Sequence, residues 1–146
     1  MRLTSKLFYG IRALVDLALH AGGPPVQSHE IAMRQGIPES YLNQLLILLR
    51  RGGLIRSVRG PQGGHLLARG AGAVTLADVV RALDGPTDAD SAQSIDVRGQ
   101  DRATDATVRE AWEGIDAAIT AALAGVTLDA LMNDRQRREA AYLFEI

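Results

Sequence analysis

Apolar side chains recur every three or four positions in four segments of the first 85 residues, which is the spacing of a helix face turned toward a core. Polar caps precede three of these segments, with Thr4 or Ser5 before the first, Ser28 before the second and Thr75 before the fourth. Glycine follows each segment, as is usual where helices end. The pattern therefore predicts helices over residues 4–21, 28–36, 38–51 and 75–83.

Two short strands are predicted between the third and fourth helices, over residues 54–58 and 65–68. They flank a loop with the sequence RGPQGG, in which Gly63 and Gly64 let the backbone turn tightly and approach a sugar–phosphate chain. A short capped helix, a tight turn, a longer helix and a hairpin together describe a winged helix-turn-helix. We therefore expect a mainly α fold, a winged helix-turn-helix with a small two-stranded β-wing, completed by a long C-terminal dimerisation helix.

That long helix is predicted over about residues 104–124, starting at Thr104, and it carries a narrow apolar stripe. The stripe positions are spaced 4-3-4-3-4 and are Val108, Trp112, Ile115, Ile119, Ala122 and Val126. A heptad seam fits another helix, so we expect a dimer interface, with packing inside the monomer as the alternative. A short last helix from Thr127 and a tail over residues 135–146 follow, and the tail has no predicted role.

Residues 86–103 differ from the rest because they are polar and acidic, with almost no large apolar side chain. Such a composition predicts a flexible loop. The expected organisation is a DNA-binding winged helix-turn-helix over 1–85, the acidic loop over 86–103, and the dimerisation helix with its tail over 104–146.

The length of 146 residues and the 47% of hydrophobic residues suffice for one core. No run of eighteen apolar residues is present, so we expect no membrane partner. The start of the chain lacks a hydrophobic signal core followed by a cleavage site, which predicts a cytoplasmic protein.

Charge divides the chain although the net value is only −1. Residues 1–70 contain nine Lys or Arg and three acids (+6), whereas residues 71–146 contain seven Arg and fourteen acids (−7). This asymmetry indicates a basic half that meets a polyanion, while mutual attraction of the two halves is the alternative.

The third helix is expected to lie in the major groove of double-stranded DNA. Its polar positions opposite the leucine face are Glu39, Ser40, Tyr41, Asn43 and Gln44. Asn and Gln pair bidentately with adenine, and Ser bonds a base or a phosphate. Arg59, at the base of the wing, suits a narrow minor groove. Further DNA contacts are expected from Arg2, Ser28, Arg50, Arg51, Arg56, Gly60, Gly63 and Gly64.

Other chemistries lack their motifs in this sequence. The chain has no cysteine, which removes disulfides, thiolate zinc sites and all-cysteine iron–sulfur clusters. The wing loop lacks the Gly-Lys-Ser/Thr of a P-loop, and no dinucleotide-binding glycine pattern precedes a helix. The three histidines are scattered, and the acids of residues 84–105 lack calcium-loop spacing, so we expect neither an enzyme nor a metal site.

Three stretches closely resemble the Rrf-type (Rrf-two) family of bacterial winged-helix regulators: MRLTSKLFYGIRALVDLA, IAMRQGIPESYLNQLLILLRRGGLIRSVRGPQGGHLLARG and VTLADVVRALDG. The resemblance covers residues 1–85 and implies a homodimer that binds a palindromic operator. It implies base or phosphate contacts from Ser40, Tyr41, Asn43 and Gln44, and insertion of Arg59 into the minor groove. Many relatives carry Glu where this chain has Asn43, which implies a different base preference.

Many members of that family hold an iron–sulfur cluster on three cysteines between the fourth helix and the dimer helix. The corresponding region here, about residues 86–106, contains none, so we expect no cofactor. A small-molecule or protein effector is left open. The sequence thus favours a transcriptional regulator, a repressor by preference, over a winged-helix module that docks a metabolic enzyme.

Overall fold

The computed structural model describes residues 1–85 and 101–145 of the chain. The helices are α1 Ser5–Leu19, α2 Ser28–Gln35, α3 Glu39–Arg51, α4 Leu76–Asp84, α5 Arg102–Ala124 and α6 Leu128–Phe144. Strands β1 Ile55–Val58 and β2 Gly64–Leu67 form an antiparallel pair between α3 and α4. The predicted mainly α winged helix-turn-helix is confirmed. Most of the predicted acidic loop, residues 86–100, lies outside the described residues.

One apolar core joins the first four helices to the start of α6. Leu14 of α1 and Leu42 and Leu49 of α3 are fully buried in it, and Leu128 of α6 is 1% exposed. The amide of Leu128 donates to the carbonyl of Val74 at 2.8 Å, so backbone pairing holds α6 beside the segment that leads into α4. None of the described helices contains an apolar stretch long enough to span a bilayer.

A buried carboxylate connects α1 to α2. Asp16 is 1% exposed, and Arg34 donates to it twice, from Nη2 to Oδ1 at 2.8 Å and from Nε to Oδ2 at 3.0 Å. Gln35 adds a third hydrogen bond, from Nε2 to Oδ2 at 2.9 Å. Burial raises the pKa of Asp16, but the hydrogen bonds from Arg34 and Gln35 outweigh it and hold that pKa below its ordinary value of 3.8. Asp16 therefore stays ionised and fixes the last turn of α2 against α1.

The predicted cap of α2 and the predicted start of α5 differ from the structure by one and two residues. The cap of α2 is Gln27, and Ser28 is the first helical residue; the Glu30 carboxylate accepts the Gln27 amide at 3.2 Å. Helix α5 begins at Arg102 rather than Thr104, and the carboxylate of its cap, Asp101, accepts the Thr104 amide at 3.0 Å. An acidic side chain thus engages the amide of the cap residue in α2 and an amide of the first turn in α5.

The last helix was predicted to be short, and this prediction is wrong. It has 17 residues and includes most of the tail to which no structure was assigned. Its weak apolar periodicity is offset by ion pairs along one face, Arg138 to Asp134 at 2.8 Å and Arg135 to Glu139 at 2.7 Å. Such pairs four residues apart favour a helix without a continuous apolar stripe.

Replacing Asp16 with Asn is expected to lower the free energy of unfolding by about 3 kcal/mol, the lower end of the range for a broken buried ion pair. The lower end applies because the Arg34 side chain is 37% exposed and can still be hydrated. The folded-state pKa of Asp16 is lowered, so the carboxylate stabilises the wild type fully at pH values above its ordinary pKa of 3.8. This extra free energy of unfolding is lost as the pH falls through the lower, folded-state pKa. Urea unfolding at a series of pH values measures this difference.

Asp134→Asn is the matched control, because it makes the same chemical change in the exposed pair with Arg138. It should leave the free energy of unfolding nearly unchanged. Equal effects of the two substitutions would contradict a structural role for the buried network.

Candidate nucleic-acid interface

Helix α3 presents a polar face to solvent because its leucines are turned into the core. The buried positions are Leu42, Leu45, Leu46 and Leu49. Ser40, Asn43 and Gln44 lie on the other side and are exposed. Gly36 ends α2 in the left-handed conformation, at φ +63, which allows the tight turn that leads into α3. The N-terminal half of α3 is therefore accessible, as a recognition helix requires.

Tyr41 departs from the predicted solvent-facing set. It is half-buried, and its ring packs edge-on against Tyr9 of α1, with 6.0 Å between ring centroids and an interplanar angle of 82°. It lies four residues before Leu45, so it flanks the buried face of α3 rather than the exposed one. Its ring thus contributes to the contact between α1 and α3.

The wing is attached directly to the segment that precedes α2. Ser57 of β1 lies opposite His65 of β2 in the strand register. The amide of His65 donates to the carbonyl of Val26 at 2.7 Å, and the amide of Val26 donates to the carbonyl of His65 at 3.0 Å. Val26 thereby extends the two-stranded sheet, so the wing and the start of α2 hold a fixed relative position.

Two glycines of the wing are needed for packing within the chain, whereas the sequence predicted that they allow a close approach to DNA. A Cβ atom on Gly64 would meet the backbone of Val26, and one on Gly63 would meet the carbonyl oxygen of Val58. Gly63 is itself buried. The glycines at these positions are therefore required by packing within the chain. Gly60 faces open space at φ +106 and remains exposed at the tip of the loop.

Several predicted DNA contacts line one groove between the wing and the start of α2. They are Ser28, Arg50, Gly60, Gly63 and Gly64. Gln27, which spans the groove by donating from Nε2 to the Pro61 carbonyl at 3.5 Å, and His65 also line it. Gln27 is not among the contacts predicted from the sequence. His65 was predicted as a strand residue with the option of facing DNA, and it does line the groove, opposite Ser57 in the strand register.

The other predicted cations are not among the residues that line this groove. Arg51 is exposed at the end of α3, Arg59 is exposed where the wing begins, and Arg2 is exposed ahead of α1. The structure therefore brings Arg50 of α3 to the wing groove, whereas Arg2 belongs to a different segment of the chain.

The arginines near the wing have no acidic partners within the described residues. Arg50, Arg51, Arg56 and Arg59 form no ion pair there, whereas Arg81 and Arg69 both pair with Asp78 and the α6 arginines pair with acids of their own helix. Among the described residues, the contact of Arg69 with Asp78 at 3.6 Å is the single ion pair between the two halves of the chain. The positive charge of the first half is thus left available, which argues against mutual neutralisation of the halves.

The apolar stripe of α5 is uncovered over its first half. Val108, Trp112 and Ile115 are 60%, 62% and 47% exposed. Ile119 is half-buried and Ala122 is exposed. Three large apolar side chains in successive turns form a patch of the kind that marks an interface.

Comparison with known proteins places the chain among bacterial regulators. The Rrf2 family profile, described as "Iron-dependent Transcriptional regulator", matches residues 3–134. The HTH-type transcriptional regulator IscR of Xenorhabdus nematophila is 40% identical over 142 residues, covering 97% of this chain and 85% of that protein. T. potens IscR superposes with a TM-score of 0.72 at 35% identity, over 92% of this chain and 88% of the other. CymR (YrzC), the global cysteine regulator of B. subtilis, gives 0.71 at 31%, over 91% and 97%.

The residues of this chain do not fit a thiolate-held iron cluster. The sequence contains no cysteine. Within residues 1–85 and 101–145, no three His, Asp or Glu side chains come close enough together to hold a metal ion. Soft thiolate ligands are the donors that iron–sulfur clusters select, and the chain has none to offer.

Gly64→Ala is expected to weaken the attachment of the wing by about 1–3 kcal/mol, because the new Cβ would press on the Val26 backbone at a strained φ. Hydrogen exchange of the Val26 and His65 amides measures this, since both lie in the bridge. Gly72→Ala is the control, since its Cβ would meet nothing within 4 Å. Equal protection of the two amides in wild type and Gly64→Ala would contradict the close approach.

Proposed function

The chain belongs to the Rrf2 family of transcriptional regulators, and on that premise we propose that it binds a palindromic operator in double-stranded DNA as a homodimer and represses transcription. The observation that carries this proposal is the presence, in neighbouring elements, of an exposed α3 face, a wing groove and four arginines (Arg50, Arg51, Arg56 and Arg59) that form no ion pair with any described residue. Positive charge without internal partners attracts the phosphate backbone. Family members named as HTH-type regulators are DNA-binding proteins and not enzymes.

The elements divide the work of recognition. Ser40, Asn43 and Gln44 contact base edges in the major groove, because they are exposed near the N-terminus of α3 and carry donors and acceptors. Arg59 enters the adjacent minor groove. Backbone phosphates are bound by Ser28, Arg50, Gly60 and Gly64, which line the groove, and by the cation Arg51 at the end of α3. Gly63 is buried and donates its amide to the Gly60 carbonyl at 2.9 Å, so its role is within the loop.

A second copy of the chain covers the exposed stripe of α5. Val108, Trp112 and Ile115 leave apolar area in water that nothing in the described residues shields. Burying it against the same stripe of a second chain gives the two-fold symmetry that a palindromic operator needs. The two chains contribute the same positions, with Ile119 and Ala122 extending the seam.

The protein acts without an iron–sulfur cluster, which the lack of cysteine supports. Its signal is then a small molecule, a protein, or the abundance of the regulator itself. The alternative role, a winged-helix module that docks a metabolic enzyme, gives no use to the unpaired arginines and predicts no affinity for DNA.

Arg59→Ala is expected to weaken operator binding by about 1–3 kcal/mol, on the order of ten- to hundredfold in Kd. The operator is first obtained by selecting bound duplexes from random DNA, and affinity is then measured by fluorescence anisotropy. For the wild type, log affinity should fall linearly with log salt, with a slope of about −0.9 for each phosphate contacted.

Arg81→Ala is the control for Arg59, because this exposed α4 arginine already pairs with Asp78. It should leave Kd unchanged. Full affinity in Arg59→Ala would remove the wing from the interface. A salt-independent Kd for the wild type would contradict the proposed phosphate contacts, and no measurable affinity for DNA would favour the protein-docking alternative.

Trp112→Glu is expected to convert the dimer into monomers, since a carboxylate buried in an apolar seam without a partner is costly. The side chain is 62% exposed in the single chain, so the fold itself should survive, as circular dichroism can check. Light scattering gives the mass. Ala117→Glu places the same charge on the opposite, exposed side of α5 and should remain dimeric. A dimer that persists in Trp112→Glu, or a monomeric wild type, would rule out this seam.

A further inference from the structure

His65 lies in the wing groove at a point where its backbone is hydrogen-bonded to a neighbouring segment. Its amide and its carbonyl both pair with Val26, and its strand neighbour is Ser57. The main chain of His65 is therefore fixed at the wall of the groove, where His65 lies with Arg50 and Ser28 among the lining residues. A histidine fixed in this way has a defined contact with anything that enters the groove.

The imidazole of His65 is hydrogen-bonded to the Ser57 hydroxyl, which can pair with either the neutral or the protonated ring. Nδ1 of His65 lies 3.0 Å from the Ser57 hydroxyl. When the ring is neutral and its proton is on Nε2, the hydroxyl donates to Nδ1; when the ring is protonated, Nδ1 donates to the hydroxyl oxygen. The serine proton is then free to turn toward an anion, so protonation requires no rearrangement of the backbone.

The free protein keeps this imidazole neutral at pH 7. Burial, and then the positive charge of Arg50, lower the pKa of His65 below its ordinary value of 6.5. An incoming phosphate would reverse both the sign of the local potential and the direction of that shift.

Among the groups that line the groove, Arg50 opposes protonation of His65 but attracts a phosphate. On α3 the facing charge is Arg50, and on α2 the titratable lining residue is His29. Within the part of the chain that the structure describes, no carboxylate lines the groove, and Glu30 of α2 is engaged with the Gln27 amide. The other acidic or basic side chains of the adjoining helices and of β1 lie outside the lining. They are Arg56 of β1, Arg34 of α2, Glu39 and Arg51 of α3, Lys6, Arg12 and Asp16 of α1, and His20, which follows α1.

We propose that His65 binds a backbone phosphate of DNA in the wing groove and takes up a proton as it does so. The inference rests on the proposed DNA-binding function and adds a regulatory property to it. Each protomer then binds DNA together with one proton. Affinity rises as the pH falls through the interval between the pKa of His65 in the complex and its lower pKa in the free protein.

The direct test measures the pKa of His65 by NMR of its imidazole in the full chain, free and bound to the selected duplex, in a buffer without phosphate. We expect a higher pKa in the complex. Anisotropy titrations are run at fixed ionic strength between about pH 8.5 and 5.5. The affinity for DNA should rise by up to about tenfold for each pH unit of acidification and for each protomer.

Two substitutions compare His65 with a histidine outside the groove. His65→Gln should flatten the pH dependence, whereas His20→Gln should not, because His20 lies outside the groove and contacts the carbonyl of Asp16. Wild-type DNA binding with an unchanged His65 pKa, or an undiminished pH dependence in His65→Gln, would overturn this inference and leave the proposed function standing. Absence of DNA binding at every pH would overturn both.

Inorganic phosphate distinguishes the source of the anion. Added alone at millimolar concentration, it should leave the His65 pKa close to that of the free protein, since the operator holds its phosphate at a fixed place and inorganic phosphate is not so held. An equal rise in pKa with inorganic phosphate and with DNA would assign the groove to a free anion and overturn the DNA contact.

Discussion

The backbone pairing between Val26 and His65 is the constraint on which the proposed interface depends. It joins the strand that leaves the wing to the residue just before the start of α2, and so fixes the groove between them. The approach is possible because position 64 has no Cβ to meet the Val26 backbone. Without this bridge the wing would be a hairpin of two strands, which is marginally stable alone. With it, the wing cations keep a fixed position relative to α3, and less ordering is required on binding.

A second constraint is how the chain distributes its ion pairs. On α4 and α6 the arginines lie within reach of acids three or four residues away, so their charges are compensated locally. Around the wing, Arg50, Arg56 and Arg59 have no acid among the described residues to compensate them. A net charge of −1 therefore conceals a surface that is positive where the groove opens. The buried Asp16 carboxylate, in contrast, is compensated inside the fold by hydrogen bonds from Arg34 and Gln35.

Local signals made most of the helix-turn-helix predictable. The leucine spacing of α3, the Gly36 stop and the Thr75 capping box each act within a few residues, and each is found as expected. What the sequence concealed depends on contacts between distant segments. The turn of Tyr41 toward Tyr9 arises from helix packing, and the reason for Gly64 lies at Val26, far away in the chain. The length of α6 was missed because ion pairs, rather than an apolar stripe, line its surface.

The junction between α5 and the core would influence how two chains present their recognition helices. Backbone hydrogen bonds from Leu76 to Val126 and from Leu128 to Val74 tie the end of α5 to the DNA-binding core, and Leu128 is buried in that core. A movement of α5 is therefore transmitted to the core at this junction instead of being absorbed by a flexible joint there. In a two-fold dimer, α3 helices that enter successive major grooves must lie about 34 Å apart, one turn of duplex. That spacing would be set by how the two Trp112 stripes pack, so an effector that changes the packing of α5 can change operator affinity without touching α3 or the wing.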